Sequence, residues 1–324
     1  MVEVTVVGYG MGKAHCEFIN SVDGLNLYSV CDIDEAKRWA AESDFGVRTF
    51  ENIDQVLEDS GGDLIVLATP HDTHAPLAIK VMDAGKNVIV EKVMCLNVAE
   101  ADAMIDASKR NDVVLTVFHS RRWDSDYLTV KKVMESDILG EVFLVESSVD
   151  WYGQLEGWRT ERKRGGGHIY DWGAHLIDQA VDMIDSKAET IFCDFQYQVW
   201  STEVESHLKC LIRFKNRLLY EIDVGNISQI SKPRWRVMGE LGTLTKQDIG
   251  PGEKARVRTL VDGFKADMEI ESVHAEWRDY YVNISQVFNE GAELAVKPEE
   301  VRESIAIIEA AIESAETGKS VAVG

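Results

Sequence analysis

Cysteine is scarce in this 324-residue chain and nowhere forms a CxxC pair. The five thiols, Cys16, Cys31, Cys95, Cys193 and Cys210, are odd in number and widely spaced. That pattern predicts reduced side chains packed as small hydrophobes, and with them a cytoplasmic protein. An excess of positive charge is also missing. Against 34 Lys and Arg stand 56 Asp and Glu, for a net charge of −22. A field of that sign repels nucleic-acid phosphates and anionic membrane surfaces, which excludes both as partners. No apolar run approaches the roughly 18 residues that a membrane span requires. The opening Met1–Val7 stretch lacks a charged n-region and a cleavage site, so no signal peptide is expected. Repeats, low-complexity tracts and flexible linkers are absent. Acidity alone can signal disorder, but 45% hydrophobic residues argue for a folded chain. At about 150 residues per domain, the length predicts two domains.

What is present first is a strand–helix alternation. Apolar runs at Val2–Val7, Leu25–Cys31, Val47–Phe50, Leu64–Thr69, Asn87–Glu91 and Val113–Phe118 are rich in Val, Ile and Leu and hardly alternate. Strands buried on both faces of a parallel sheet read this way. Helical patterns fill the gaps near 12–20, 34–44, 53–59, 74–84 and 98–110, the last opened by a capping-box-like Asn97 and Glu100. This predicts a doubly wound α/β domain over 1–122. Beyond Arg122 the texture changes. A helix at Asp124–Glu135, a long strand at Glu141–Trp151 and a helix around Asp171–Ile184 are expected. Strands follow at Thr190–Trp200, His207–Phe214, Leu218–Val224, Trp235–Met238 and Arg256–Val261, then helices near 276–290 and 298–315. Strands in series predict a second domain over 123–324 with an open, mostly antiparallel sheet, its C-terminal helix packing back on the first domain. An open sheet leaves a face to cover. The strand at His207–Phe214 carries apolar residues on both faces, which predicts a homodimer or homotetramer.

The chemistry-bearing residues cluster at strand ends. Gly8-Tyr9-Gly10-Met11-Gly12 follows the first strand and opens a helix, and Asp32 with Ile33 follows the second. Glycines let backbone N–H groups approach a pyrophosphate, and an acidic residue at the second strand end accepts from ribose hydroxyls while repelling a 2′-phosphate. A plain strand–helix turn is the bland alternative. Thr69, Pro70, His71 and His74 close the fourth strand, either lining a cofactor or capping the next helix. Glu91-Lys92 ends the fifth strand, where a lysine meets an anion or developing negative charge unless it is a surface ion pair. Asp171 and His175 stand at i, i+4 in Gly165-Gly166-Gly167-His168-Ile169-Tyr170-Asp171-Trp172-Gly173-Ala174-His175, on one helix face. Histidine beside carboxylate suits proton transfer. His168, Asp171 and His175 also form a possible metal triad, the basis of a metal-hydrolase alternative, or a structural cluster. Arg122 is expected to border a cleft; Tyr152, Trp158 and Arg159 either stack on a sugar or a nicotinamide or belong to the core.

These landmarks, in order, resemble the Gfo/Idh/MocA (glucose–fructose oxidoreductase/inositol dehydrogenase) family over nearly the whole chain. The resemblance implies a Rossmann domain, an α/β domain with an open antiparallel sheet, NAD or NADP as cofactor, and sugars, cyclitols or related polyols as substrates. It implies Lys92, Asp171 and His175 as the catalytic set and Tyr280 as a contact to the nicotinamide half, beside Trp158 and Arg159. Cofactor contacts are expected at Gly8, Tyr9, Gly10, Met11, Gly12, Asp32, Ile33, Thr69, Pro70, His74, Glu91 and Lys92. Substrate contacts are expected at Lys92, Arg122, Tyr152, Asp171 and His175, with no resident metal. Two departures stand out. The family's Glu-Lys-Pro reads Glu91-Lys92-Val93, and the glycine loop is one residue short before His15. The activity implied is an NAD(P)-dependent sugar or polyol dehydrogenase. The family also holds redox-neutral glycoside-modifying enzymes that retain NAD tightly, and non-catalytic nucleotide-binding regulators.

Overall fold

A computed structural model describes residues 1–200 and 203–324. The chain runs β1 (Val2–Val7), α1 (Tyr9–Asn20), β2 (Leu25–Cys31), α2 (Glu35–Phe45), β3 (Arg48–Phe50), α3 (Ile53–Glu58), β4 (Leu64–Leu67), α4 (His74–Asp83), β5 (Asn87–Glu91), α5 (Val98–Asn111) and β6 (Leu115–Phe118). It continues with α6 (Ser125–Met134), β7 (Val142–Asp150), α7 (Ala174–Met183), β8 (Ala188–Gln196), β9 (His207–Phe214), β10 (Leu219–Gly225), β11 (Trp235–Gly239), β12 (Gly242–Lys246), β13 (Ala255–Val261) and β14 (Phe264–Ile270). It ends with α8 (Arg278–Glu290), α9 (Pro298–Thr317) and β15 (Val321–Ala322). Two compact units emerge. One holds residues 1–119 and 277–302; the other holds 120–276 and 303–324. A cut after residue 122 was expected from the sequence. The chain instead returns to its first unit through α8 and the start of α9.

In the first unit six strands pair in the order β3-β2-β1-β4-β5-β6, all parallel. This is the doubly wound arrangement, in which ligands lie beyond the carboxyl ends of the strands where the order reverses. Here the reversal falls between β1 and β4. Every residue of β4 is buried, as the unbroken Leu64-Ile65-Val66-Leu67 run requires. Local signals set the helix ends. Asp34 accepts the Ala36 N–H at 2.9 Å to start α2, and Gly46, at φ 67°, closes it. Asn97 accepts the Glu100 N–H at 2.9 Å, and Glu100 reaches back to the Leu96 N–H at 3.0 Å, a capping box displaced by one residue.

The second unit is a nine-stranded sheet in the order β14-β13-β12-β11-β7-β10-β9-β8-β15. Its pairs are antiparallel except β7 with β10. Three of its strands, β12, β14 and β15, were not expected. In β14 the outward positions dominate and the apolar pattern is weak. On β9, Leu208, Cys210, Ile212 and Phe214 point inward, while Lys209, Leu211 and Arg213 are exposed. The cysteine reading needs correction. Cys193 on β8 and Cys210 on β9 stand opposite each other and are joined by a disulfide. Antiparallel pairing made them neighbours across 17 residues of sequence, which spacing alone does not show. Cys16, Cys31 and Cys95 are buried and outside any disulfide, and burial pushes the thiols of Cys16 and Cys31 up to about 12.

Buried charge pins the second unit's helices. Arg122 donates from Nε and Nη2 to the two carboxylate oxygens of Asp178 at 2.9 and 2.8 Å, and from Nη1 to Asp182 at 3.2 Å. Tyr127 and Lys131 on α6 also donate to Asp182. Arg234 donates to Gln179 Oε1 at 2.8 Å, and the Trp235 indole to Asp126 at 2.8 Å. Burial raises the Asp182 carboxyl, but the Arg122 charge and the Lys131 and Tyr127 hydrogen bonds outweigh it, so its pKa lies below the ordinary value. The stabilisation from Asp182 is therefore present above the ordinary carboxylate range near pH 4 and is lost as pH falls through the lower folded-state value. Asp178→Ala removes the two-pronged partner of Arg122 and leaves it the longer contact to Asp182, and should destabilise the second unit by about 3 kcal/mol in urea denaturation, the lower end of the cost of breaking a buried pair. Asp182→Asn should lose stability at pH 7 and flatten the fall in stability below pH 4, measured by the same titration across pH.

Candidate active site

Two groups of residues, one in each unit, carry the expected chemistry. In the first unit, Gly8 joins β1 to α1 at φ 94°. A Cβ at Gly8 would stand 2.3 Å from the Ala68 carbonyl oxygen, and one at Gly12 would stand 2.7 Å from Val6 Cγ1. Both positions need glycine because backbone and strand crowd them. Gly10 differs. A Cβ there would meet only the Lys37 Nζ, at 3.8 Å. The turn thus presents an open glycine backbone next to an ammonium, and no side chain caps the start of α1. Its first-turn N–H groups fit a pyrophosphate. Tyr9 contributes backbone: its N–H donates to Asp32 Oδ2 at 2.8 Å, while its hydroxyl turns to Asp44 at 2.6 Å. Asp34 N–H donates to Asp32 Oδ1 at 2.9 Å. Each Asp32 oxygen keeps a second lone pair for a ribose hydroxyl. Met11 and Ile33 are exposed beside the turn. Arg38, the nearest guanidinium in sequence, donates to the carbonyls of Asp32 and Ile33 at 2.8 and 3.1 Å.

At the end of β4, Thr69 and Pro70 are half-buried, and the Thr69 and Thr73 hydroxyls share a hydrogen bond of 2.7 Å. His74, expected against the cofactor, is instead fully buried. Its Nε2 stands 2.8 Å from the Thr69 carbonyl oxygen and its Nδ1 2.7 Å from that of Val93. Burial holds its pKa below the ordinary histidine value despite both carbonyls. Lys92 is half-buried, and the Lys92–Val93 peptide is cis, although the second residue is not proline. Glu91, also expected at the cofactor, turns inward: one carboxylate oxygen accepts the Lys92 N–H at 2.9 Å and the other lies 2.9 Å from His15 Nε2. Tyr280 is another correction. It is buried with its ring edge-on to Phe118 at 4.9 Å, part of the first unit's aromatic core. Its neighbour Tyr281, which sequence reading passed over, places its hydroxyl 2.5 Å from His15 Nδ1.

In the second unit, Asp171 lies in a π turn over Ile169–Gly173 that runs straight into α7, so the helix opens earlier and wider than expected. Gly173 N–H donates to the His168 carbonyl at 2.7 Å, and a Cβ at Gly173 would lie 2.9 Å from that oxygen. Single π turns of this kind are frequent at functional sites. Asp171 is half-buried and His175, one turn on, is buried with its ring edge-on to Trp172 at 5.8 Å. The Arg121 guanidinium covers the Trp172 ring at 3.8 Å. His168 packs edge-on against Trp151 at 5.3 Å, and burial lowers its pKa. Among the described residues, no group of three His, Cys, Asp or Glu is placed to hold a metal ion. Glu205, which sequence reading missed, accepts the Ile169 N–H at 2.7 Å under the glycine triplet, and burial raises its carboxyl. Trp158 and Arg159 share a 3₁₀ turn, with the guanidinium 5.0 Å from the ring. Tyr152 is exposed beside Trp200. Arg122 does not present itself to a ligand; Asp178 and Asp182 engage it inside the unit.

The chain is similar to known proteins over nearly its whole length. Residues 2–119 match the oxidoreductase family with an NAD-binding Rossmann fold, GFO_IDH_MocA, and residues 127–245 match the GFO/IDH/MocA C-terminal domain. An NAD-binding protein from Listeria innocua is 31% identical with a TM-score of 0.91, covering 99% of this chain and 96% of that one. The scyllo-inositol 2-dehydrogenase (NADP(+)) IolW of Bacillus subtilis is 26% identical, over 99% of this chain and 95% of its own. The myo-inositol 2-dehydrogenase of Thermotoga maritima is 25% identical, over 98% and 97%. Among the described residues, no helix is long and apolar enough to cross a membrane. The glycine turn yields a direct test. Gly8→Ala puts a methyl against the Ala68 carbonyl at a positive φ, and should weaken NADH binding, read by its fluorescence, at least roughly tenfold, the scale of a backbone strain of 1–3 kcal/mol.

Proposed function

Because the chain belongs to the Gfo/Idh/MocA oxidoreductase family, we propose that it is a nicotinamide-dependent dehydrogenase acting on a secondary alcohol of a sugar, cyclitol or related polyol. When bound, the nicotinamide ring accepts or returns the hydride. The glycine turn and Asp32 hold the dinucleotide, with Thr69 and Pro70 at the neighbouring strand end. On this reading His175 takes the hydroxyl proton from the substrate, and the Asp171 carboxylate orients the imidazole and the substrate hydroxyls. Lys92 stabilises negative charge developing on the substrate oxygen. Trp158, Arg159 and Tyr152 contribute recognition surface.

The observation that carries the proposal is the joint presence of Lys92, Asp171 and His175 in a chain with an open, uncapped glycine turn. A nucleotide-sensing regulator has no need of the first three. The inositol dehydrogenases among its relatives support a cyclitol or similar polyol as substrate. Asp32 supports NAD over NADP, since a 2′-phosphate beside a buried carboxylate meets like charge. We further propose that two copies associate through the second unit's sheet, where Phe192 and Leu211 pair across β8 and β9 and are both exposed.

Turnover is tested by following NADH formation across inositols, other cyclitols and aldoses, with calorimetry of NAD and NADP alongside. His175→Ala should lower kcat by roughly 10²–10⁴-fold, the scale of a positioned acid–base group, and leave NADH affinity unchanged. Full turnover by the folded variant removes His175 from the mechanism. Tightly retained NAD with no net NADH points instead to redox-neutral chemistry. Light scattering should give at least twice the 36.3 kDa chain mass; a monomer ends the association proposal.

A further inference from the structure

The first unit contains a buried hydrogen-bond chain that the reading above leaves without a task. Tyr281 Oη lies 2.5 Å from His15 Nδ1, His15 Nε2 lies 2.9 Å from Glu91 Oε1, and Glu91 Oε2 accepts the backbone N–H of Lys92 at 2.9 Å. Aromatic rings enclose it. Phe118 packs 4.5 Å from the His15 ring, and Phe18 stacks on Tyr281 at 6.1 Å. Tyr281 and the His15 ring are shut from solvent, and Glu91 is nearly so.

The direction of the chain follows from its end. An ionised carboxylate only accepts, so His15 Nε2 carries the proton and donates to Glu91. The Nδ1 lone pair of the neutral ring then accepts the Tyr281 O–H. Every donor thereby points towards Glu91, and each partner is satisfied. Although burial raises the Glu91 carboxyl, the hydrogen bond from His15 and the nearby Lys92 charge outweigh it and hold its pKa below the ordinary value. The other side of the turn is held too, since His74 Nδ1 lies 2.7 Å from the Val93 carbonyl. The peptide before Lys92 is thus tied to the Glu91 carboxylate, and the Val93–Met94 peptide, one residue beyond Lys92, to the buried His74. Glu91 turns its carboxylate into this chain and is nearly shut from solvent.

We infer that Tyr281, His15 and Glu91 form a relay that fixes the Lys92 peptide and so aims its ammonium at the reacting group. The three are positioning residues, and the inference rests on the proposed role of Lys92. It gives α8 a task in the first unit: a residue 266 positions after His15 completes the support of a strand end.

Two measurements on the full chain test it. The first uses selective ¹⁵N-lysine labelling, with the Lys92 amide assigned by its loss in Lys92→Arg. A backbone N–H donated to a buried carboxylate gives a low-field cross-peak that exchanges slowly. Glu91→Gln replaces the charged acceptor by a neutral one, and Tyr281→Phe removes one oxygen while keeping the ring stacked. Both should move the Lys92 cross-peak and speed its exchange, while other lysine amides stay in place. A Lys92 peak that neither variant moves overturns the relay. The second measurement is a double-mutant cycle on the polyol found by the substrate screen. Tyr281→Phe should lower kcat roughly fivefold, the worth of one buried hydrogen bond, with NADH affinity unchanged. In the Lys92→Ala background it should cost nothing more, because the group it positions is gone. Additive losses mean that Tyr281 acts through the fold at large and sink the inference. Undiminished turnover by Lys92→Ala alone sinks the functional reading of Lys92 instead, while the amide measurement still reports whether the relay exists.

Discussion

The ligand face of the first unit depends on the approach of two strand ends, where the Gly8 backbone passes so near the Ala68 carbonyl that a methyl group would stand 2.3 Å from the oxygen. Parallel strands β1 and β4 must lie side by side for the sheet to bury both faces, and the chain order reverses at that pair. The turn out of β1 therefore has no room for a side chain, and a positive φ follows. From this one contact come the open backbone at Gly10, the uncapped start of α1 and the hydrogen bond from Tyr9 N–H to Asp32. The dinucleotide cradle is the surface that remains when two buried strands meet closely.

Buried polar groups do the complementary work. In each unit, the charges named above are tolerated inside the protein because they are paired. Arg122 meets Asp178 through two parallel hydrogen bonds, a geometry suited to a planar guanidinium. Glu91 receives donors from two directions. Such groups contribute less to net stability than to uniqueness of placement, since any shift leaves a charge unpaired in a medium that solvates it poorly. Placement is what a nicotinamide-dependent oxidoreductase needs, because its cofactor supplies the reactivity and the protein supplies alignment.

The same logic separates residues that touch a ligand from residues that hold those residues. Glu91, His74, Arg122 and Tyr280 sit in stretches that carry chemistry, and each proves to be support. Glu205, beneath the glycine triplet, is support of the same kind for the turn that bears Asp171. Charged side chains near an active site are abundant for this reason: the reacting groups are few, and each needs its backbone fixed from more than one side.

Much of this protein is legible in the sequence because it depends on near neighbours. Unbroken Val, Ile and Leu runs mark doubly buried strands, Asn97 and Glu100 announce a helix start, and the glycines before α1 with Asp32 after β2 mark a dinucleotide turn. Asp171 and His175 declare themselves by helical spacing, although the π turn beneath them does not, since it arises from how Gly173 closes on His168. Tertiary structure alone decided the rest. Whether Cys193 meets Cys210, whether Arg122 faces a ligand or Asp178, and whether Tyr280 or Tyr281 reaches His15 all depend on pairings between distant segments. Periodicity reports which face of an element is buried. It does not report which residue, brought from up to 266 positions away, stands on the other side.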